Sequence, residues 1–486
     1  MRIYQLFLAL ILGFIVISCQ PEDKRQLKMS PLFSDHMVLQ QNQDIAFWGE
    51  YSPMKKITLS GSWGDEATTE SDANGQWKMT LTSPAAGGPY SINVISADST
   101  IMIDDVLFGE VWLASGQSNM EMPLKGWPPN DPIANSSEEI SNANYPNIRM
   151  FTVARNLSGA PLDTIRGQWV ASSPETAGDF SASAYFFARR LQDELKVPIG
   201  IIHSSWGGTP AEAWTSSVVL RELGDFNTEL DAIEKSNSLE KETDTVNGPD
   251  QLELHSNMPS VLFNAMINPL LPYTIKGAIW YQGESNVGRD EQYKRVFPAM
   301  INDWRNRWAD DFPFYFVQIA PYIYNKNPDL QISQKLRDAQ RHALKTAKTG
   351  MVVTLDIGNP TNIHPANKQD VGYRLAGLAL ANDYGKAIVA SGPLFKGFTK
   401  AKHKLVVAFD FVGSGLLCNE KKLKGFEIAG ADKVFESAKA KIKNGMVEVS
   451  SRSIKNPEYV RYAWKDDSQA TLFNLEGLPA SSFSSE

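Results

Sequence analysis

The chain has 486 residues, 42% of them hydrophobic and 21% charged, so two or three globular domains with a sizeable apolar core are expected. The formal net charge of −8 argues against nucleic acid or an anionic membrane surface as the main partner, because both are bound by clustered lysine and arginine. A small neutral or weakly charged ligand fits this composition better.

The first nineteen residues have the features of a targeting segment. Arg2 provides a positive start, the apolar run 6–17 is too short for a comfortable membrane span, and Ser18 precedes Cys19. The segment 16–19 resembles a bacterial lipobox with valine in place of the usual first leucine, which predicts lipidation of Cys19. We therefore expect an exported bacterial lipoprotein, periplasmic or at the cell surface, with a signal peptide over 1–18 and a solvated tether over 19–30. A signal peptide cleaved without lipidation is the alternative.

Cysteine usage excludes two kinds of stabilisation. Cys418 is the only cysteine besides Cys19, so an acylated Cys19 leaves no internal disulfide and no thiolate cluster for zinc. Cys418 is expected to be a small buried apolar residue. No phosphate loop, metal cluster or nucleotide fingerprint is found, and neither a metal nor a cofactor is predicted.

Two β-rich regions flank a central region of a different pattern. Residues 31–105 form short alternating segments with an Asn74-Gly75 turn, which predicts a small β-sandwich serving as a scaffold or a carbohydrate contact. Residues 386–486 return to this pattern and predict a second β-domain. In residues 106–385 amphipathic helices alternate with five apolar strands, which predicts a parallel sheet covered on both faces; the strands are 108–114, 199–203, 275–281, 314–319 and 351–355.

Polar segments follow four of these five strands. They are 116–119, 203–209, 282–286, and Asp356 with His364 just beyond it. Because a parallel sheet binds ligands at the carboxyl ends of its strands, we expect all four segments to converge on one crevice.

Ser118 is the candidate nucleophile in this crevice. The apolar strand stops at Gly116-Gln117-Ser118-Asn119, and a serine on a sharp turn after a buried strand projects its Oγ into a crevice. The Gly-x-Ser-x-Gly pattern of lipases is not matched, and an ordinary turn serine is the alternative interpretation of this segment alone.

The four segments together resemble a known family. Segment 116–119 resembles block I of the SGNH (GDSL-like) hydrolases, 206–209 resembles block II, 282–286 occupies the block III position and 362–365 resembles block V. Longer agreements extend the resemblance to the sialate O-acetylesterase family of carbohydrate esterases over nearly the whole mature chain; they are 37–40, 109–112, 207–214, 364–368, 460–464 and 477–480.

The resemblance implies a fold and an activity. The fold is an α/β SGNH-hydrolase parallel sheet flanked by helices, with N-terminal and C-terminal β-sandwich-like domains. The activity is hydrolysis of O-acetyl esters on glycans, with O-acetylated sialic acid as the substrate and acetyl-Ser118 as the intermediate. Acetylated plant polysaccharide such as xylan is the alternative substrate, and a non-catalytic surface glycan-binding lipoprotein is the alternative function.

His364 is the candidate base that activates Ser118. Imidazole titrates near neutrality, and this histidine follows the last strand, where it can face the serine. His203 also lies at a strand end, but it precedes the glycine loop, so we expect it to line the pocket.

The sequence does not identify the carboxylate that orients His364. In SGNH enzymes an aspartate usually stands three residues before the histidine, where this chain has Thr361, and the residue two before is Asn362. The third member is then absent, a backbone carbonyl, Asp356 or Glu284. A serine–histidine dyad would still turn over.

Donors to the developing oxyanion are expected in two of the loops. The N–H of Ser118 and of Gly207 or Gly208 are the natural candidates, because glycine permits close approach. A block III asparagine commonly provides a third donor in SGNH enzymes, whereas this chain has Glu284 there. Gln282 or Asn286 are the substitutes, and Glu284 is alternatively a structural carboxylate.

Substrate contacts are expected from residues around the serine. Trp206 and Trp214 can stack on sugar faces, whereas Gln117, Asn119 and Glu212 can bond hydroxyl groups. Loop packing is the alternative role for these side chains.

Overall fold

The computed structural model describes residues 25–243, 252–325, 327 and 330–486. The predicted signal peptide, Cys19 and most of the tether lie outside the described residues. Within the described ranges no helix is long and apolar enough to cross a membrane.

Seven strands precede the central strand of the protein. Their residues alternate between buried and exposed, as in β6, where Trp77, Met79 and Leu81 are buried and their neighbours are exposed. β1, β3 and β6 form one sheet, whereas β4, β5 and β7 belong to the sheet of the central strand. The strands are β1 (Lys28–Met29), β2 (Val38–Gln40), β3 (Asp44–Glu50), β4 (Lys56–Gly61), β5 (Glu66–Glu70), β6 (Gln76–Thr82) and β7 (Gly87–Ser96).

A single strand, β8 (Ser99–Gly116), joins this β-rich region to the central sheet. Its first half pairs antiparallel with β7, and its second half lies between two parallel neighbours. Every residue from Val106 to Gly116 is buried, as expected for a strand covered on both faces. The predicted domain boundary between residues 105 and 106 falls inside this continuous strand.

The central sheet has the predicted parallel arrangement. Its order is β10-β9-β11-β8-β12-β13-β14, and only β10 runs antiparallel to its neighbour. All five predicted strands are present, and β9 and β10 are additional. The strands are β9 (Tyr145–Thr152), β10 (Trp169–Ser172), β11 (Ile199–Ser205), β12 (Gly277–Tyr281), β13 (Phe314–Val317) and β14 (Thr349–Val352).

Helices cover both faces of the sheet, so the predicted α/β fold class is confirmed. Trp112 and Ala114 of β8 pack into an apolar cluster with α3 and α8, whereas Val111 and Leu113 pack into the cluster that holds α6 and α7. The helices are α1 (Ser118–Glu121), α2 (Ser136–Ser141), α3 (Ala182–Leu195), α4 (Ser217–Leu223), α5 (Asn227–Thr243), α6 (Asp290–Trp308), α7 (Ile332–His342) and α8 (Lys368–Asn382).

The C-terminal region consists of three small antiparallel sheets, as the β pattern predicts. It contacts the central unit, for example where the Gln318 amide donates to Ser481 Oγ at 3.0 Å. Cys418 is only half-buried, so the prediction that it is a buried apolar residue is wrong. The strands are β15 (Leu394–Ala401), β16 (Lys404–Asp410), β17 (Leu416–Cys418), β18 (Phe426–Ala429), β19 (Glu436–Ser437), β20 (Lys439–Lys443), β21 (Met446–Ser450), β22 (Tyr459–Tyr462), β23 (Leu472–Asn474) and β24 (Phe483–Ser484).

A buried carboxylate ties the N-terminal region to the sheet. Glu110 on β8 accepts hydrogen bonds from the side-chain amides of Gln40 at 3.1 Å and Gln41 at 2.6 Å, and from the Tyr384 hydroxyl at 2.9 Å. Gln40 in turn accepts the Val111 N–H at 2.9 Å. These bonds connect three segments that are distant in the chain.

Replacing Glu110 by alanine is expected to destabilise the fold, because three donors lose a charged acceptor. The free energy of unfolding should fall by about 2 to 3 kcal/mol, whereas exposed Glu222→Ala should stay within about 0.5 kcal/mol of wild type. Urea denaturation measures both. Equal unfolding midpoints for Glu110→Ala and wild type would contradict the anchoring role.

Candidate active site

Ser118 lies where β8 ends in a turn that only glycine can form. Gly116 has a φ of +140°, and a Cβ placed there would lie 2.2 Å from the Tyr281 carbonyl oxygen of the neighbouring strand. The chain then reverses, Gln117 N–H donates to the same carbonyl at 2.9 Å, and Ser118 becomes the first residue of α1. The turn places Ser118 at the carboxyl edge of the sheet, with 9% of its surface exposed.

His364 lies in the loop between β14 and α8. The Asn119 amide donates to the Ile363 carbonyl at 3.1 Å. Ser118 directly precedes Asn119 and His364 directly follows Ile363, so this hydrogen bond joins the two segments that carry them. Among the described residues Ser118 and His364 share no hydrogen bond, and the bond between a general base and its nucleophile often tightens only in the substrate complex. The structure thus brings the two predicted residues together.

The carboxylate beside His364 is Asp131, which the sequence analysis missed. Asp131 Oδ2 lies 3.3 Å from His364 Nδ1, and its Oδ1 accepts the Asn362 amide at 3.0 Å. The Asn362 side chain also accepts the His364 backbone N–H at 2.8 Å. Asn362 stands close to where the family usually has its acid, and here it holds both the acid and the base.

A tight turn presents Asp131 to the imidazole. Asp131 and Trp127 exchange two backbone hydrogen bonds of 2.8 and 3.0 Å. The Trp127 ring packs edge-on against His364, with 5.2 Å between ring centroids. This turn lies between α1 and α2, far from His364 in the chain, so no spacing rule pointed to it.

The two carboxylates proposed from the sequence lie elsewhere. Asp356 forms a bidentate ion pair with Arg374, with contacts of 2.8 and 2.5 Å. Glu284 is buried and accepts the Asn119 amide at 2.7 Å. Neither contacts His364, and Asp131 replaces both as the partner of the imidazole.

The environment keeps His364 neutral. Burial lowers the pKa of the imidazole, the Asp131 carboxylate raises it in part, and the Lys368 ammonium lowers it again. The net pKa lies below its usual 6.5, so His364 can accept a proton at neutral pH. His203 is buried, bonds Ser205 Oγ at 2.6 Å, and has its pKa lowered by burial to about 4.

The glycine loop after β11 provides one predicted oxyanion donor but not the other. Gly207 N–H donates to Glu121 Oε2 at 2.8 Å, so its N–H is already used. Gly208 is exposed with a φ of +75°, and its N–H has no acceptor among the described residues. Ser118 N–H, at the start of α1, likewise has no acceptor in the described chain. Ser118 and Gly208 therefore remain the candidate donors.

Gln282 and Asn286 are not available as a third donor. The Gln282 amide donates to the Thr209 carbonyl at 3.2 Å and to Asn286 Oδ1 at 2.7 Å. The Asn286 amide donates to Glu212 at 2.9 Å. Both side chains are buried, so they brace the loops and do not face a substrate.

Three predicted substrate contacts also lie inside the scaffold. Gln117 accepts the backbone N–H of Gly283 at 3.3 Å and of Ser285 at 3.2 Å, and Glu212 pairs with Arg289 at 2.5 Å. Asn119 has no exposed surface. The polar atoms named here join one loop to the next, which agrees with the alternative of loop packing.

The two tryptophans differ. Trp214 is fully buried and donates to Thr209 Oγ1 at 2.9 Å, which agrees with the packing alternative. Trp206 is half-buried, and the Arg155 guanidinium lies 5.1 Å from its ring centroid. Arg155 also pairs with Glu121, the residue that holds Gly207. An aromatic face and a cation therefore lie beside the serine.

No group of three or more potential metal ligands occurs within the described ranges.

Comparison with known proteins agrees with this geometry. A family model for carbohydrate esterases, described as sialic acid-specific acetylesterase, matches residues 109–384. Sialate O-acetylesterases from Mus musculus and Homo sapiens are each 32% identical, covering 76% and 83% of this chain and 76% and 80% of their own lengths. The chain belongs to this carbohydrate esterase family. It is therefore a carboxylic ester hydrolase, and the predicted family is confirmed.

A solved structure supports the same assignment. The crystal structure of a carbohydrate acetylesterase from Xanthomonas citri matches with a TM-score of 0.84 and 37% identity, covering 95% of this chain and 99% of that one. The match spans both flanking β-rich regions as well as the central sheet.

Gly207→Ala is expected to impair ester hydrolysis by crowding the serine. The new Cβ would lie 3.1 Å from Glu121 Oε2 and 3.3 Å from Ser118 Cβ, so the two loops must separate by a few tenths of an ångström. We expect a loss of about tenfold in kcat/KM on an aryl acetate. Gly178→Ala, whose Cβ meets nothing closer than 3.5 Å, is the matched control. Equal loss in both variants would contradict the crowding argument.

Proposed function

We propose that this protein is a serine esterase that removes O-acetyl groups from sialic acid residues of glycans. The observation that carries the proposal is the hydrogen bond that joins the residue after Ser118 to the residue before His364, together with Asp131 at the imidazole Nδ1. The relatives named sialate O-acetylesterase support the choice of substrate.

In the first half of the reaction Ser118 becomes acetylated. Its Oγ attacks the acetyl carbonyl carbon while His364 Nε2 accepts the hydroxyl proton. The Nδ1–H of the same ring donates to Asp131, which fixes the tautomer and stabilises the imidazolium. The tetrahedral oxyanion is bound by the N–H groups of Ser118 and Gly208. Collapse breaks the ester bond, and His364 returns its proton to the departing sugar oxygen.

In the second half water releases acetate. His364 removes a proton from the water as its oxygen attacks the acetyl-Ser118 carbonyl carbon. The second tetrahedral intermediate uses the same donors. It collapses to acetate, and the proton on His364 restores the Ser118 hydroxyl.

The surface beside Ser118 suits an acidic sugar. Trp206 provides a partly exposed aromatic face. Arg155 is half exposed and uses Nε and one terminal nitrogen on Glu121, while its other terminal nitrogen has no acceptor within the described residues. That nitrogen is placed to donate to a carboxylate such as the one sialic acid carries.

Ser118→Ala is expected to abolish acetate release. Loss of the nucleophile should lower kcat on an aryl acetate by at least about a thousandfold, while Ser137→Ala, at an exposed position of α2, should behave as wild type. Acetate release is measured enzymatically on the aryl acetate and on O-acetylated sialoglycans and acetylated xylan.

The substrate panel separates the alternatives. We expect higher kcat/KM on sialoglycans than on xylan. Preference for xylan would retain the esterase and reject the sialate substrate. A folded wild-type protein that releases no acetate from any of them would favour a glycan-binding protein without catalysis.

Asp131→Asn is expected to change both the rate and its pH dependence. The acid limb of kcat/KM reports the His364 pKa, which lies below 6.5 in the wild type. Asp131 favours the protonated ring, so its loss lowers this pKa and moves the limb to more acidic pH. At the same time kcat should fall by about a hundredfold or more, because the imidazolium loses its partner.

Asp356→Asn is the control for this experiment, because its carboxylate pairs with Arg374. It should leave the acid limb where the wild type has it. An Asp131→Asn enzyme with wild-type kcat would rule out Asp131 as the third member of the triad.

A further inference from the structure

Ser118 and His364 come from different ends of the central unit, and a buried side chain next to the serine joins them. Asn119 Nδ2 donates to the Ile363 carbonyl at 3.1 Å and to Glu284 Oε1 at 2.7 Å. Asn119 Oδ1 accepts Lys368 Nζ at 2.8 Å. Both polar atoms of the carboxamide are therefore used, and they join the loop that carries His364 and the start of α8 to Glu284.

Lys368 holds the other side of the same loop. It is the first residue of α8, 1% exposed, and its Nζ also donates to the Pro365 carbonyl at 2.6 Å. The carbonyls directly before and after His364 are thus held by Asn119 and Lys368. A lysine is almost never fully buried unless its charge is paired, so this one requires an explanation.

Glu284 provides the opposing charge. It is 8% exposed, and its Oε2 has no hydrogen-bond partner among the described residues. Burial raises the pKa of Glu284 and lowers that of Lys368 to about 7, while the attraction of Glu284 and Asp131 favours the charged lysine. Glu284 accepts a hydrogen bond from the Asn119 amide nitrogen and Lys368 donates one to the amide oxygen, so the amide connects the two charged groups.

We propose that Lys368, together with Asn119 and Glu284, forms a positioning network that sets the orientation of His364 toward Ser118. The network rests on the proposed function, because it serves the general base of that reaction. A displacement of about 1 Å in such a group costs on the order of a hundredfold in rate, which gives a physical reason to bury two groups of opposite charge here.

The network has a second effect on the imidazole. The charged groups that act on His364 are Asp131, which favours its protonated form, and Lys368, which disfavours it. Lys368 therefore helps to keep the base unprotonated while Asp131 orients it.

The test compares Lys368→Met and the charge-balanced double variant Lys368→Met/Glu284→Gln with wild type. Lys368→Met leaves the Glu284 carboxylate without its opposing charge, so the double variant is the one expected to keep a melting temperature close to wild type. Its kcat on an aryl acetate should fall by about ten- to a hundredfold with KM within about threefold, because orientation and not binding is lost. Exposed Lys400→Met is the matched control and should retain wild-type kinetics.

A second measurement is independent of turnover. The His364 imidazole titration, followed by NMR and assigned with His364→Gln, should move to higher pH in the double variant because the opposing cation is gone. A folded double variant with kcat within twofold of wild type, or with an unchanged His364 pKa, would overturn the positioning role. Wild-type protein that releases no acetate would reject the proposed function instead, and the NMR titration would still decide whether Lys368 acts on His364.

Discussion

The burial of β8 on both faces is the constraint on which the rest of the structure depends. From Val111 to Ala114 its side chains alternate between two apolar clusters, so the strand cannot slip by one residue without exchanging its two faces. This fixed register determines where the strand ends. Gly116 then permits the chain to turn against the Tyr281 carbonyl, and Ser118 is delivered to the edge of the sheet.

The loops at that edge are held together by buried polar side chains. Gln117, Asn119, Gln282 and Asn286 each connect two loops, and few of their polar atoms are left for a ligand. Burying an amide is costly unless its donors and acceptors are bonded, so each connection is directional as well as stabilising. The site thus depends on hydrogen bonds between buried amide side chains. Fewer side chains are therefore free to contact substrate than the sequence motifs suggest.

The different environments of Asp131 and Glu284 show how position determines the role of a carboxylate. Asp131 is partly exposed and lies beside the imidazole, whereas Glu284 is buried and lies across an amide from a buried lysine. Both are negative groups near one histidine. Only the first can stabilise the imidazolium directly, and the second balances the charge of the residue that holds the histidine loop.

The sequence by itself determined the features that depend on neighbouring residues: the parallel sheet, the strand that ends at Gly116, the serine after it, and the histidine before α8. Apolar runs and glycine turns are local, so their pattern is visible in the chain. Only the tertiary structure decided which side chains meet across loops. Asp131 pairs with a histidine far along the chain, and Asn119 and Glu212 turn inward although their residue types suit sugar hydroxyls. Hydrogen-bond partners between distant loops depend on distances of a few ångströms that no spacing in the chain encodes.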